Sequence, residues 1–274
     1  MPTPPELRRA HLTITQSIAG SDGHGAQVVA CDIKFQPKAP PLKAVAKIFD
    51  ALYWNPFIPI TEQPADVTEM ADRAYGREAA AYENVRERKH KDFTAEYFGC
   101  WTFDQPITVE NVEYQRPVRL VLMEYLEGAT LQDLIQRTPP RYDEETRLRV
   151  FATILDSRVR LKHGGIEHTN FWPENIMVVP RQGQNVPRVV IIDFDRSKVL
   201  DKMSDPGRPW EKRAHPMNPL QVCWNSSYAN FTGWIPESWL EDKTLRQKWL
   251  VKEFGGRIRR SITLALKWTP KSGV

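Results

Sequence analysis

The stretch from His163 to Asp195 constrains this 274-residue chain more than any other. Paired glycines, Gly164 and Gly165, end a helix there, because glycine accepts the left-handed geometry of a C-cap. A polar loop follows, in which Asn175 stands five residues after Asn170. Two β-branched apolar runs, Ile176 to Val179 and Val189 to Ile192, flank the turn-rich segment Arg181 to Asn185, and that pattern predicts a hairpin. The hairpin returns the chain so that Asp193, at the end of its second strand, faces Asn175. An amide oxygen and a carboxylate meeting at a loop form a hard, oxygen-lined site suited to Mg²⁺.

Composition narrows what such a loop can belong to. With 41% apolar and 26% charged residues, the chain is an ordinary globular protein with material for one or two domains. A net charge of +4 is too mild to point to nucleic acid as a partner. The basic residues gather late: from Lys243 to Lys271 there are nine Lys or Arg against Glu253 alone. A solvated helix face is the expected reading of that run, with an anion-attracting surface as the alternative. Cys31, Cys100 and Cys223 are widely spaced and odd in number, which fits reduced thiols rather than a disulfide framework. No apolar run reaches membrane-spanning length and the start Met1-Pro-Thr-Pro-Pro lacks a signal region, so the expectation is a cytoplasmic protein without a membrane partner.

Taken in order, the chain offers five further features. Strands are expected over His11–Ile18 and Val28–Phe35, with Gly20, Gly23 and Gly25 in the turn between them. Glycines so placed let a backbone approach a ligand, and exposed N–H groups there cradle phosphate. A short apolar strand, Leu42–Phe49, carries Lys47, and a proline- and aromatic-rich irregular insertion follows over residues 50 to 67. Tyr75, Ala79, Tyr82 and Val85 recur at helical spacing between Thr68 and about His90. Glu78 lies beside that stripe, where a carboxylate is costly unless paired, and Lys47 is the expected partner, with Glu83 in a poorer angular position. Strands around Glu96–Trp101 and Arg119–Tyr125 lead to a helix beginning at Thr130. Asp143–Lys162 is the clearest helix, with Leu148, Phe151, Leu155 and Val159 as its stripe and acidic residues at its positive end.

In this order the features resemble the protein-kinase-like fold. His168-Thr169-Asn170 with Asn175 resembles the family's H-R-D-x-x-x-x-N loop, and Asp193-Phe194-Asp195 its D-F-G. The likeness covers residues 15 to 197 and implies an α+β, two-lobed structure: a small β-rich N-lobe over residues 1–125 and a reduced, mostly helical C-lobe over 126–274. It also implies ATP and Mg²⁺ as cofactors. Gly20, Gly23, Gly25 and Lys47 would hold phosphates, with Glu78 orienting Lys47. Met123, Glu124 and Leu126 would line the adenine pocket, and Asn175 and Asp193 would hold the metal. His168, Asn170 and Asp193 would form the catalytic set. Three departures stand out. Asn170 occupies the position of the catalytic aspartate, Trp172 that of a lysine near the γ-phosphate, and Asp195 that of the D-F-G glycine. An acidic residue at that last position resembles aminoglycoside and choline phosphotransferases. The phrase Gly233–Trp239 resembles the ends of small kinase-like proteins of filamentous fungi.

The resemblance implies γ-phosphoryl transfer to a hydroxyl, weak or silent as written, because an amide cannot accept a proton near neutral pH. Two alternatives stay open. One is an active small-molecule kinase, or an engineered aspartate-to-asparagine form of one; the other is a kinase-fold scaffold or repurposed enzyme without phosphotransfer. No A-P-E segment closes an activation loop, and 79 residues remain after Asp195. Both facts favour a small hydroxylated acceptor over a peptide, with a protein partner expected under the scaffold reading.

Overall fold

The computed structural model describes residues 11–20, 25–34, 40–57, 62–88, 91–138, 140–200 and 215–261. The chain divides into two compact units. The first comprises Met1–Glu127, Ile166–Asn170 and Val190–Met203; the second comprises Gly128–Gly165, Phe171–Val189 and Ser204–Val274. The architecture is α+β, with an antiparallel sheet in the first unit and most of the helix in the second.

The sheet has five strands, β1 (His11–Ala19), β2 (Gln27–Lys34), β3 (Leu42–Phe49), β4 (Tyr97–Val109) and β5 (Val112–Glu124), in the order β1-β2-β3-β5-β4. Alternation along β3 divides its side chains between two faces. Ala44 and Ala46 join Val29, Cys31, Ile33, Leu120 and Leu122 in an apolar cluster, and Lys47 takes the opposite face. Helix α1 (Val67–Glu87) lies between β3 and β4 in sequence. It starts at Asp66, whose carboxylate accepts from the N–H groups of Thr68 (3.0 Å) and Glu69 (2.9 Å), as a good N-cap does. Its buried side includes Ala74, Glu78, Ala79, Tyr82 and Val85, close to the expected stripe, while Tyr75 is half-buried with its ring edge on Phe49. The β4–β5 hairpin runs much further than the two short strands expected. Glu110 and Asn111 turn it with φ of 51° and 65°, the left-handed pair that two-residue hairpins need.

In the second unit, β6 (Ala129–Thr130) precedes α2 (Leu131–Gln136), which Thr130 and Asp133 start with a reciprocal capping box. Helix α3 (Glu144–His163) is N-capped by Asp143, with Glu144 and Glu145 in its first turn. Its C-cap differs from expectation in one detail: Gly164 has φ of −73°, and Gly165 alone takes the left-handed conformation, at +86°. Burial on α3 is wider than one stripe, reaching Val150, Ile154, Ser157 and Leu161, while Leu148 is only half-buried. Strand β7 (Ile166–Glu167) belongs to the first unit, β8 (Ile176–Val179) to the second, and β9 (Arg188–Ile191) straddles the boundary. Strand β10 (Lys198–Val199) pairs with β7 inside the first unit. The second unit closes with α4 (Pro219–Cys223), α5 (Ser238–Glu241) and α6 (Lys243–Ser261). Phe151 of α3 meets Tyr228, Phe231, Trp239 and Trp249 there. Trp234 and Trp239 are buried as expected of a C-terminal core, Trp224 is exposed, and Trp210 and Trp268 lie outside the described residues. Among the described residues, no helix is long and apolar enough to cross a membrane.

Candidate functional site

Lys47 is the centre of the site, and all its ionic partners lie in the first unit. Its ammonium donates to Glu78 Oε2 at 3.1 Å and to Asp193 Oδ1, and Asp195 Oδ2 is 3.6 Å away. The three carboxylates come from α1 and from the turn after β9, segments 31 and 146 residues from Lys47 in sequence. Glu83 has no part in the pairing. One lysine thus faces three carboxyl groups, a local excess of acidic groups.

Burial and these pairings together set the protonation states. Burial opposes the charge on Lys47, but the fields of Glu78, Asp193 and Asp195 prevail and hold its pKa above the ordinary lysine value. Burial likewise disfavours charge on Glu78, and there it wins over Lys47, pushing the carboxyl up to about 7. Asp193 is also penalised by burial, yet its direct bond to Lys47 brings it below the usual carboxylate range. Asp195 goes the other way, raised by burial and, after the opposing pull of Lys47, by the negative Asp193. Lys47 is shared among all three, so it cannot fully neutralise each.

The loop before the site is tied to the turn that carries Asp193. His168 is buried and its pKa is lowered by that burial, so the ring is neutral near pH 7. Its Nε2 lies 3.1 Å from the Ile192 carbonyl, which only accepts, so Nε2 carries the proton. The His168 ring also meets Phe194 edge-on at 5.1 Å, and Phe194 meets Tyr82 of α1 at 5.2 Å. Thr169 Oγ1 donates to the Arg196 carbonyl at 2.6 Å, and Ser197 N–H to the Phe194 carbonyl at 2.9 Å. Asp193 itself has φ of 66°. A non-glycine residue in that region is strained, and such strain gathers at functional sites. Asn170 is half-buried in the same unit, two residues after His168. Asn175 ends a 3-10 turn, Pro173–Asn175, in the second unit and is buried there.

At the glycine turn, Gly20 has φ of +95°, and a Cβ on it would lie 2.6 Å from the Ala26 carbonyl oxygen, so the turn requires glycine at this position. Gly25 closes the same turn, while Gly23 lies outside the described residues. At the end of β5, Met123 is buried and its sulfur accepts from the Tyr82 hydroxyl at 3.3 Å. Glu124 N–H donates to the Glu96 carbonyl, and its carboxylate accepts from Glu96 N–H. Leu126 follows, half-buried, in irregular backbone.

The donor set bears on a divalent cation. Among the described residues no three His, Cys, Asp or Glu side chains form a complete metal cage. Mg²⁺, however, is commonly held by one or two carboxylates plus substrate phosphates. Asp193 and Asp195 offer such a pair, and Asp195 Oδ1 is buried without a hydrogen-bond partner among the described residues. A cluster with more carboxyl groups than cations, one of them with an unsatisfied oxygen, fits a divalent cation in its chemistry.

Comparisons with known proteins point to the same fold. Residues 107–213 match the family described as lipopolysaccharide kinase (Kdo/WaaP). Over 86 residues the chain is 33% identical to serine/threonine-protein kinase pkn3 of Myxococcus xanthus, an alignment taking in 31% of this chain and 15% of that protein. The chain thus matches only a small share of that relative's length. The family span holds His168, Asn170, Asn175, Asp193 and Asp195, whereas Lys47 and Glu78 lie before it.

Proposed function

We propose, from the premise that this chain has a protein-kinase-like fold, that it binds ATP with Mg²⁺ and is built for γ-phosphoryl transfer to a hydroxyl. The coarser statement, a function of the phosphotransferase type, is what the two likenesses support. The observation that carries the finer one is the convergence of Lys47 on Glu78, Asp193 and Asp195. In this reading Lys47 contacts nucleotide phosphates, and Glu78 keeps its ammonium aimed away from solvent. Asp193 and Asp195 hold the divalent cation, which when bound would neutralise charge on the transferred phosphoryl group. The backbone of the glycine turn contributes N–H donors, and backbone groups around Met123, Glu124 and Leu126 meet the adenine.

Asn170 orients the acceptor hydroxyl through its amide oxygen but takes no proton, and the loss of general-base help is about 10²- to 10⁴-fold in rate. The protein as written is therefore a weak or silent phosphotransferase. Small hydroxylated molecules are the acceptors to assay first, with lipopolysaccharide added to the panel because the matched family carries that name.

The test is a melting-temperature series with ATP and Mg²⁺ on the wild type, Lys47→Ala and Asn170→Asp. Wild type and Asn170→Asp should be stabilised by millimolar nucleotide, and Lys47→Ala should not. Asn170→Asp should also raise ATP turnover. No stabilisation of the wild type would leave the scaffold reading; an Asn170→Asp protein as silent as its parent would remove the role given to that loop.

A further inference from the structure

The run of basic residues noted in the sequence begins where α6 begins, at Lys243. Lys243, Lys248 and Lys252 are exposed, as a solvated helix face requires. Arg246 is different: it is 7% exposed, which puts a guanidinium inside the second unit. Its Cζ stands 5.3 Å from the centre of the Tyr228 ring, a cation–π contact. Such a contact uses the charge and none of the five N–H donors. The Nε of Arg246 is buried without a hydrogen-bond partner, and among the described residues no carboxylate pairs with it. The walls around it are fixed. Asn218, the cap of α4, donates to the Phe254 carbonyl of α6 at 3.0 Å, and Gln247 of α6 donates to the Trp224 carbonyl at 3.3 Å.

Among the described residues, the groups beside Arg246 do not supply the missing negative charge. Tyr228 is buried, and burial, then the neighbouring Cys223, holds its pKa far above the ordinary value against the pull of Arg246. Its hydroxyl stays protonated and donates to the Cys223 carbonyl at 3.3 Å. Burial also raises the Cys223 thiol, although Tyr228 and the charge of Arg158 on α3 oppose it. Asp242, one turn before Arg246, accepts instead from Thr244 N–H at 2.7 Å. Glu253 is exposed, two turns further along α6 and about 10 Å away in rise. A charge inside a protein is tolerated when it is paired, and this one is left with donors to spare.

We propose that Arg246 forms the floor of an oxyanion site in the second unit, between α6 and the segment from α4 to Tyr228, and that the site takes a phosphate group. The guanidinium fork matches two oxygens of such a group. A dianion is favoured over a carboxylate because Lys243 lies one turn back on the same face of α6 and the charge of Arg158 reaches Cys223. Inorganic phosphate and the phosphate of a small monoester share that chemistry. The site does not depend on the nucleotide reading, since Lys47 and its carboxylates belong to the first unit.

The test is thermal unfolding of the full chain with inorganic phosphate, glycerol 3-phosphate or acetate at constant ionic strength, with hydrogen exchange to locate any protection. Phosphate at tenfold excess over its dissociation constant should raise the wild-type melting temperature by about 3–5 °C and slow exchange along α6. Arg246→Met keeps the apolar stem without the charge and should show no such shift. Without phosphate it should melt at or above the wild type, because a buried, uncompensated charge is gone; with saturating phosphate the order should reverse. Arg246→Gln carries the same comparison should the methionine variant fail to fold. A shift with inorganic phosphate alone supports a free-ion site, and a matching shift with glycerol 3-phosphate supports one that accepts monoesters. Equal phosphate shifts in wild type and variant would overturn the proposal. So would a phosphate shift no larger than that with acetate, or protection confined to the first unit. An Arg246→Met protein destabilised by the same amount with and without phosphate would also overturn it, leaving the arginine as packing for Tyr228.

Discussion

Lys47→Ala tests the physics of the site without assuming any ligand. The Lys47 side chain is 8% exposed and that of Glu78 0%, so water does not screen their interaction. Removing one partner of such a buried pair costs about 3–5 kcal/mol, because the other charge is left uncompensated. That is a large share of the roughly 5–15 kcal/mol by which domains are stable. Asp193 and Asp195, with side chains 29% and 22% exposed, can turn toward water and add little. The cost should depend on pH in a definite direction. Glu78 already titrates near 7 with Lys47 present, above its ordinary value, and loss of the lysine raises it further. A group whose folded-state pKa is raised contributes stability that is complete below its unfolded pKa and is lost as pH rises through the folded one. The deficit of Lys47→Ala should thus be smallest near pH 5 and grow through pH 7 to 8. Neutralising the orphan, in Lys47→Ala with Glu78→Gln, should recover at least half of it at pH 8. Urea unfolding at both pH values gives the magnitude, and hydrogen exchange along α1 locates it in the first unit. Equal stability of the single and double variants at pH 8, or a deficit independent of pH, would refute the account of Glu78 as a buried carboxyl whose ionisation Lys47 favours.

Two further predictions concern neighbouring parts of the same unit. Asp195→Asn removes one of the two carboxylates fitted to a divalent cation. Millimolar Mg²⁺ without nucleotide should raise the melting temperature of the wild type and not of the variant; equal shifts would take Asp195 out of the cation site. Gly20→Ala forces a side chain into a backbone with φ of +95° and toward a carbonyl oxygen 2.6 Å away. It should lose about 1–3 kcal/mol in urea unfolding, and a loss under about 0.5 kcal/mol would mean that the turn is free to rearrange.

What could be read from the sequence divides along a physical line. Glu78 was legible because helical periodicity fixes its angle to the apolar stripe, and a carboxylate at that angle needs a cation. Lys47 and Asp193 are 146 residues apart, and no local rule links them; the order of motifs made the connection. The β4–β5 hairpin is longer than its sequence suggests, because Pro106 and Pro117 sit within it and proline ordinarily argues against a strand. The turn after β3 gave no signal, since the carboxylate of Asp50 is held by Arg116, 66 residues further on. The charge state of the site was the least accessible part. Each of Lys47, Glu78, Asp193 and Asp195 can be named from sequence, but naming them suggests a balanced lysine–glutamate pair and a separate metal aspartate. Folding brings all four together, and only their mutual distances reveal that the lysine is outnumbered. The chemistry proposed for the site follows from that excess of negative charge, because a site already neutral would have no need of a second cation.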